Sequence, residues 1–347
     1  MLGPEDVGHR VVVRRIVGIR DHRPVYSDAL GELLEYGDGG LTLATPDGPL
    51  RVPLDRVSAA KRIPQRRYGT AALERVASLA WPAPEVDRLG DWQLRAAGGW
   101  TGRGNSALPI GDPGTELPDA IEAVRRWYAG RGLPARINVP LPLAGAVDVA
   151  LDARGWDRSP PVLVQTARLA DLVSGPVTGS VTGPVSSPVT GPVTGPVSPD
   201  VRLDPTPSAE WLAVVAARKG GLPPEAYRLL TGPEQVRFAA LYGDGELLAS
   251  ARGAVVSGFL HLSLVEVVPA ARRRGLAGLL TRTLAGWAAQ HGAHTALLQV
   301  EEHNHPAVAL YARLGFTTHH SYVTRTMDPP EPAAGLGAVP GPETALG

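Results

Sequence analysis

The 347-residue chain contains no cysteine. Disulfide bonds, thiolate metal sites and cysteine nucleophiles are therefore excluded. Residues 1–10 also lack the basic and apolar regions of a secretory signal, so we predict a cytoplasmic protein. No apolar run reaches the roughly 20 residues that a membrane-spanning helix needs. We therefore expect no contact with a membrane.

Net charge is absent as well, because 34 basic residues balance 34 acidic residues. A neutral chain has no overall field that would draw it to nucleic acid. Nucleic-acid binding by the N-terminal region is our third hypothesis, and retention on DNA at moderate salt would support it. It depends on a local patch in which acidic residues are interspersed. The patch consists of Arg10, Arg14, Arg15, Arg20 and Arg23.

Glycine and proline are abundant and concentrate in two stretches. Residues 174–199 repeat Gly, Pro, Val, Thr and Ser without a charge, which predicts an extended linker, and residues 328–347 predict a disordered tail. Short strand-like runs separated by turn sequences fill residues 1–66 and indicate a small SH3-like β-barrel. The linker divides the remainder into two folded regions, residues 67–173 and 200–327.

Residues 200–327 begin with a strand, two helices and three strands, and then alternate between helix and strand. This order predicts an α/β domain with a mixed sheet flanked by helices. Its most informative segment lies between a predicted strand, Phe259–Val268, and a helix predicted to start at Arg273. Small residues there let backbone amides approach an anion, and the helix N-terminus adds partial positive charge.

We predict that this segment binds a ligand phosphate, with arginines adding side-chain contacts. Taken alone, the segment could equally be a solvated helix start that follows an ordinary turn. The candidate residues are Val267, Val268, Arg272, Arg273, Arg274, Gly275, Leu276, Ala277 and Gly278.

A second segment, Asn304–Phe316, has the pattern of a capped amphipathic helix that ends at Gly315. Tyr311 is the unusual residue of this helix, although a lone tyrosine there most often packs half-buried. The two segments together resemble the motifs of the GCN5-related N-acetyltransferase superfamily. Its loop, Arg/Gln-x-x-Gly-x-Gly/Ala, is matched at Arg272, Gly275 and Ala277. Its helix element is matched at Asn304, Ala307, Leu310, Tyr311, Gly315 and Phe316.

The resemblance implies that acetyl-CoA is the co-substrate, bound between two splayed parallel strands, and that no metal takes part. It implies direct attack of a neutral primary amine on the thioester within a ternary complex. Tyr311 would then be the general acid for the leaving thiolate, and Asn304 would contact the pantetheine arm. A backbone N–H near Val267, at a strand bulge, would stabilise the oxyanion.

The general base is left open by this comparison. Glu266 is the first choice, because it lies beside the predicted acetyl contact. The alternatives follow the neighbouring strand, and each of these acids could also be an ordinary rim residue. Some relatives carry a Glu where this chain has Gln299. The alternatives are Glu301, Glu302 and His303.

The residues before the linker contain a weak copy of the same pattern. Residues 149–156 align with residues 308–316 when one gap is allowed. We infer a degenerate half of the same fold, in which Asp152 replaces the tyrosine and Asp112 lies where the phosphate loop should be. We predict no acetyl-CoA binding there. Several of its residues could face an acceptor or simply complete a strand and loop: Trp92, Arg95, Trp100, Arg103, Asn105 and Ser106.

The whole arrangement resembles an actinobacterial group described as histone-acetyltransferase-like. Our leading hypothesis is an acetyl-CoA-dependent N-acetyltransferase that acts on an amine of a small molecule or a protein. The alternative is a non-catalytic acyl-CoA sensor or scaffold with the same loop. The sequence does not decide the acceptor, the acyl-chain preference or the oligomeric state.

Overall fold

The computed structural model describes residues 2–7, 10–20, 23–37, 39–45, 48–63, 68–174, 200–219 and 221–328. The chain divides into two compact units, Met1–Gly69 and Thr70–Gly347. The predicted linker lies outside the described residues except for Ser174, and the predicted tail lies outside them except for Asp328. The domain boundaries that we placed within the second unit stay predictions.

The first unit is an antiparallel sheet with the strand order β4-β3-β2-β1-β5. Its strands are β1 (Arg10–Arg20), β2 (Arg23–Gly37), β3 (Gly40–Thr45), β4 (Gly48–Val52) and β5 (Val57–Arg62). Alternating apolar residues form its core: Val11, Val13, Leu33, Leu41, Leu43 and Val52. Arg14 of the predicted basic patch is paired with Asp28 at 2.8 Å on the surface, which reduces the charge of that patch. The SH3-like assignment stays a prediction.

The second unit contains two successive runs of helices and strands. Before the linker lie α1 (Thr70–Ala80), β6 (Glu85–Leu89), β7 (Trp92–Ala96), α2 (Leu117–Ala129), β8 (Ala135–Leu141), α3 (Gly145–Asp152), β9 (Asp157–Arg158), β10 (Val162–Arg168) and α4 (Leu169–Ser174). After it lie β11 (Asp200–Asp204), α5 (Ala209–Lys219), α6 (Pro224–Thr231), β12 (Gln235–Gly243), β13 (Glu246–Val256), β14 (Phe259–Val267), α7 (Leu276–Gln290), β15 (Thr295–Glu301), α8 (His305–Arg313) and β16 (Thr317–Met327).

The start of α7 differs from the predicted start at Arg273. Arg273 and Gly275 have φ angles of 62° and 79°, in the left-handed region, so the helix can begin only at Leu276. Residues 273–275 therefore form a turn before the helix, and Arg273 and Arg274 lie in this turn. This turn shapes the candidate site described below.

Within the described residues, nine strands form one mixed sheet, which confirms the predicted fold class. Its order is β11-β12-β13-β14-β15-β10-β16-β8, and β9 pairs with β16. Helices α7 and α8 pack on one face through residues such as Leu280 and Leu314. Helices α5 and α6 pack on the other face through Trp211 and Leu229. No helix in the described ranges has both the length and the apolar content needed to cross a bilayer.

The two runs exchange their last strands within this sheet. β10, from the first run, lies between β15 and β16 of the second, with Val164 opposite both Gln299 and His320. In return, β16 pairs with β8 of the first run, so that Val323 lies opposite Val139. Each run therefore completes the backbone hydrogen bonds of the other, and neither has a finished sheet alone.

A buried arginine fixes β16 to the first run. Arg325 is 3% exposed, and its Nε donates to Asp148 at 2.7 Å, while its Nη1 donates to the carbonyl of Trp156 at 3.0 Å. Removing one partner of a buried ion pair leaves the other charge unpaired. Arg158 contacts the same carboxylate at 3.4 Å, but its side chain is 44% exposed.

These two arginines give a matched test of the strand exchange. We expect Arg325→Met to lower the free energy of unfolding by about 3–5 kcal/mol, because Asp148 loses its buried partner. Arg158→Met should lower it by less than about 1 kcal/mol, since that pair is exposed. Urea unfolding followed by tryptophan fluorescence measures both values. If both variants lose the same free energy of unfolding, the buried Arg325 contact does not stabilise the protein more than the exposed Arg158 contact.

Candidate active site

The parallel strands β14 and β15 form a V. They are paired from Phe259 and Thr295 as far as Leu262 and Leu298, after which β14 continues to Val267 without β15 beside it. A β-bulge on β14 accompanies the separation. Ser250 and Arg252 of β13 pair with Glu266 and Ser263, so β14 has one more residue than β13 between these pairs. Leu264 lies in this bulge and has a φ angle of 52°. The bulge that we placed near Val267 therefore lies earlier on the strand.

The predicted phosphate loop follows the open end of β14. Gly275 caps α7 and has no side chain, so the backbone amides of Leu276, Ala277 and Gly278 in the first turn have no preceding helical carbonyl to bond. Arg274 gives an independent indication that this loop binds an anion. Its Nε and Nη1 atoms are buried and have no hydrogen-bond partner among the described residues. Free amides together with an unsatisfied guanidinium fit a pyrophosphate.

The other residues of the loop have more ordinary contacts. Val268 uses its amide for a hydrogen bond to the carbonyl of Leu248 at 3.0 Å, so this N–H is not free for a ligand. Arg272 is exposed and donates from Nε to the carbonyl of Val267 at 3.2 Å, while Arg273 is exposed at the turn. The amides of α7 and the Arg274 side chain are thus the donors that the geometry favours.

Helix α8 lies beside α7 and carries the second motif. Asn304 caps α8, since its Oδ1 accepts a hydrogen bond from the amide of Ala307 at 3.4 Å. Its contact with a pantetheine arm stays a prediction. Tyr311 is 7% exposed and packs edge-on against Phe316, with 5.5 Å between the ring centroids. Burial raises the pKa of Tyr311 to about 12, and the charge of Arg218 opposes this rise. The hydroxyl therefore keeps its proton at neutral pH.

The structure brings Glu266 into the same region. Its side chain is 18% exposed and forms an ion pair with Arg218, at the end of α5. Arg218 thus pairs with Glu266, and its charge also lowers the pKa of Tyr311. We did not single out Arg218 in the sequence, because a lone arginine near the end of a helix carries no motif. Its placement depends on how α5 packs on the sheet.

The alternative bases are more exposed to solvent than Glu266. Glu301 and His303 are 3.4 Å apart, and their side chains are 56% and 63% exposed. Glu302 is exposed in the same turn. Gln299 points to the covered face of the sheet, where its buried side chain forms a poorly aligned hydrogen bond with His261. Burial and the contact with Arg218 distinguish Glu266 from these candidates.

The matching loop of the first run has a different geometry. Its turn at Gly111 and Asp112 packs against the β6–β7 turn, and the Asp91 carboxylate accepts a hydrogen bond from the amide of Asp112 at 3.0 Å. The backbone amide of Asp112 is therefore already bonded to a carboxylate. Asp152, which replaces the tyrosine, bonds Arg325 at 3.0 Å. Both contacts support the prediction that this run does not bind acetyl-CoA.

Most of the first-run residues that could have faced an acceptor are structural. Arg95 is 3% exposed and bonds Ser78 and Ser106. Asn105 is fully buried and accepts hydrogen bonds from the amides of Ala97 and Gly99. Arg103 is the exception, because it is partly exposed and its Nε has no hydrogen-bond partner among the described residues.

Comparison with known proteins gives three relatives that cover most of the chain. The chain is 29% identical over 332 residues to the probable histone acetyltransferase Rv0428c of Mycobacterium tuberculosis (strain ATCC 25618 / H37Rv), which covers 90% of this chain and 93% of that protein. It is 26% identical over 263 residues to the uncharacterized N-acetyltransferase YobR of Bacillus subtilis (strain 168), covering 73% of this chain and 98% of that protein.

A solved GCN5-related N-acetyltransferase from Kribbella flavida superposes with a TM-score of 0.55 at 17% identity, covering 76% of this chain and 97% of that one. At this identity the likeness shows the fold alone. The family model described as "Probable histone acetyltransferase Rv0428c C-terminal" matches residues 70–324. These findings confirm the resemblance to the GCN5-related superfamily. By its fold and by the match over nearly all of its second unit, the chain belongs to the family of N-acetyltransferases represented by the C-terminal part of Rv0428c.

Proposed function

We propose that the protein transfers an acetyl group from acetyl-CoA to a primary amine, by direct attack within a ternary complex. The observation that carries the proposal is the meeting of three features at one end of β14: the open V, the free donors of the loop, and the Tyr311–Arg218–Glu266 group. When bound, acetyl-CoA supplies the activated acetyl thioester. The residues of the chain bind it, orient it and move protons. A cytoplasmic location stays a prediction.

Each residue of the group has a distinct role in this proposal. The amides of Leu276 and Ala277, with Arg274, hold the pyrophosphate. Tyr311 holds a proton on its hydroxyl for the leaving thiolate, and its raised pKa keeps that proton available. Glu266 accepts a proton from the incoming ammonium once it separates from Arg218. Arg218 thereby competes with the proton for the same carboxylate.

Acetyl-CoA binding can be tested at the loop with a strain-matched control. Gly275 and Gly292 lie at opposite ends of α7 with φ angles of 79° and 80°, so a side chain at either position meets similar backbone strain. We expect calorimetry to show one-to-one micromolar binding that Gly275→Glu abolishes through charge and bulk. Gly292→Glu should bind normally, because nothing lies within 4 Å of its added Cβ. Failure of the intact protein to bind acetyl-CoA would refute the proposal.

Tyr311→Phe tests the proton donor. We expect kcat to fall by about 100-fold with unchanged acetyl-CoA affinity. Because the pKa of Tyr311 is about 12, the ratio of the two rates should stay constant from pH 7 to about 9. Tyr242→Phe is the control, since it removes a hydroxyl that bonds Glu210 instead. Thiol release with amine acceptors measures the rates. A protein that binds acetyl-CoA but acetylates no amine would instead be the sensor of the alternative hypothesis.

Glu266→Gln tests the general base. We expect kcat/KM at pH 7 to fall by at least about tenfold. The deficit should shrink as the pH rises, because a larger fraction of the amine is then already neutral. Glu301→Gln, in the exposed turn, should leave both the rate and its pH profile unchanged. Equal effects of the two substitutions would remove Glu266 from the base role.

A further inference from the structure

Helix α1 of the first run covers the face of the sheet opposite α7. It packs on β13 and β14, and its last residue Ala80 joins Trp81 and Trp100 in a core with Phe238 and Ala254 of the sheet. On the covered face, side chains of β13, β14 and β15 point toward the first run. The two runs therefore enclose a shared surface that begins next to the V.

Polar atoms without partners concentrate on this enclosed surface. His261 and Gln299 are buried next to each other, and the hydrogen bond between their side chains is poorly aligned, so that the ring nitrogens of His261 and Oε1 of Gln299 lack a well-aligned partner among the described residues. Arg103 Nε, from the first run, is also buried without a hydrogen-bond partner among those residues. Buried polar groups in native proteins are nearly always hydrogen-bonded. A cluster of unsatisfied groups at one place indicates that a ligand or ordered water completes them.

The charge of this surface is positive and uncompensated. Arg252 is fully buried, and its three nitrogens donate to the carbonyls of Leu230 and Ala80 and, at 3.4 Å, to Ser263 Oγ. Burial, and secondarily the like charge of Arg103, lower the pKa of Arg252 to about 9. None of the carboxylates in the described part of the chain raises this pKa. The guanidinium carbons of Arg252 and Arg103 lie 5.1 and 5.9 Å from the centroid of the Trp81 ring.

His261 adds a neutral group to the cluster. Burial lowers its pKa well below the usual range, the charges of Arg103 and Arg252 lower it further, and Gln299 opposes them. The imidazole is therefore uncharged at pH 7 and can donate one hydrogen bond. Two buried or partly buried acids of the described residues already have partners, because Glu74 bonds His320 at 2.7 Å and Glu266 pairs with Arg218.

We propose that this cluster, formed by Arg103, Arg252, His261 and Gln299, binds a carboxylate of the amine acceptor. The inference rests on the proposed acetyl transfer. A monoanion fits better than a phosphate dianion, since the nitrogens of Arg252 already bond protein oxygens and Arg103 is the arginine with an unused donor. Arg103 is also partly exposed, so that an acceptor meets it first.

The strand geometry sets the distance between the two ends of the acceptor. His261, Ser263 and Glu266 lie on the same face of β14. The bulge lies between Ser263 and Glu266. At about 3.3 Å per residue, His261 and Glu266 are separated by roughly 13 Å along the strand. With its carboxylate near Arg103 and His261 and its amine near Glu266, the acceptor needs a chain of several bonds between the two groups. An ω-amino acid satisfies this requirement better than an α-amino acid whose α-amine reacts.

The test compares amines that differ only by a carboxylate. We use β-alanine with ethylamine, 4-aminobutyrate with propylamine, and 6-aminohexanoate with pentylamine, and measure kcat/KM by thiol release. We expect the carboxylated member to be preferred by at least about tenfold in the longest pair, as a charge-assisted hydrogen bond requires. Arg103→Gln should bring that preference close to one. Arg88→Gln, at an exposed position on β6, should leave it intact.

Calorimetry with 6-aminohexanoate separates this inference from the proposed function. Binding that Arg103→Gln abolishes and Arg88→Gln preserves would support the inference, even if acetyl-CoA binding failed and the transferase proposal were refuted. No preference in any pair, a preference that Arg103→Gln leaves unchanged, or absence of 6-aminohexanoate binding in a protein that binds acetyl-CoA would each overturn the carboxylate site. In those cases acetyl transfer itself would still stand.

Discussion

The pairing of β10 with β15 is the interaction on which the candidate site depends. β15 loses β14 as a neighbour after Leu298, where the V opens. β10 continues beside β15 as far as Glu301 and satisfies the backbone groups of its other edge. The strand that borders the proposed acetyl-CoA cleft is thus held in place by a run in which Asp91 bonds the backbone amide of Asp112. The predicted inability of the first run to bind acetyl-CoA is compatible with its structural role beside β15.

The covered face of β14 changes in electrostatic character along its length. Near the loop, Glu266 and Arg218 balance each other beside the buried hydroxyl of Tyr311. Toward the start of the strand His261 is neutral, and Arg252 of β13, opposite Ser263, is buried where none of the carboxylates in the described part of the chain raises its pKa. Proton transfer and anion recognition make opposite demands on a protein, because a strong positive field would hold a general base unprotonated and weaken it. Their separation along one strand lets a single face meet both demands.

The parts of the fold that depend on local chemistry were predictable from the sequence. The loop around Gly275 and the helix that contains Tyr311 follow from small residues, caps and apolar spacing over a dozen positions. The start of α7 was wrong by three residues, since left-handed backbone at Arg273 is not encoded by any residue preference. The strand exchange was not predicted, because it joins residues more than a hundred positions apart through register alone. Arg218 and Arg103 likewise become candidate-site residues only through the packing of the fold. His261, a histidine within an apolar run, could have been identified as a candidate from the sequence.

The exchange of β10 and β16 also orders events during synthesis of the chain. β10 leaves the ribosome well before β15 and β16, the two strands that flank it. β8 has no partner on its side of the sheet until β16 is synthesised, and β16 ends only at Met327. Until then the first run exposes strand edges with no partner, a state that favours pairing with other chains. The final strand therefore closes the sheets of both runs in one late step. Assembly of this sheet therefore depends on β16, and a ribosome that stalls before Met327 leaves the sheet incomplete.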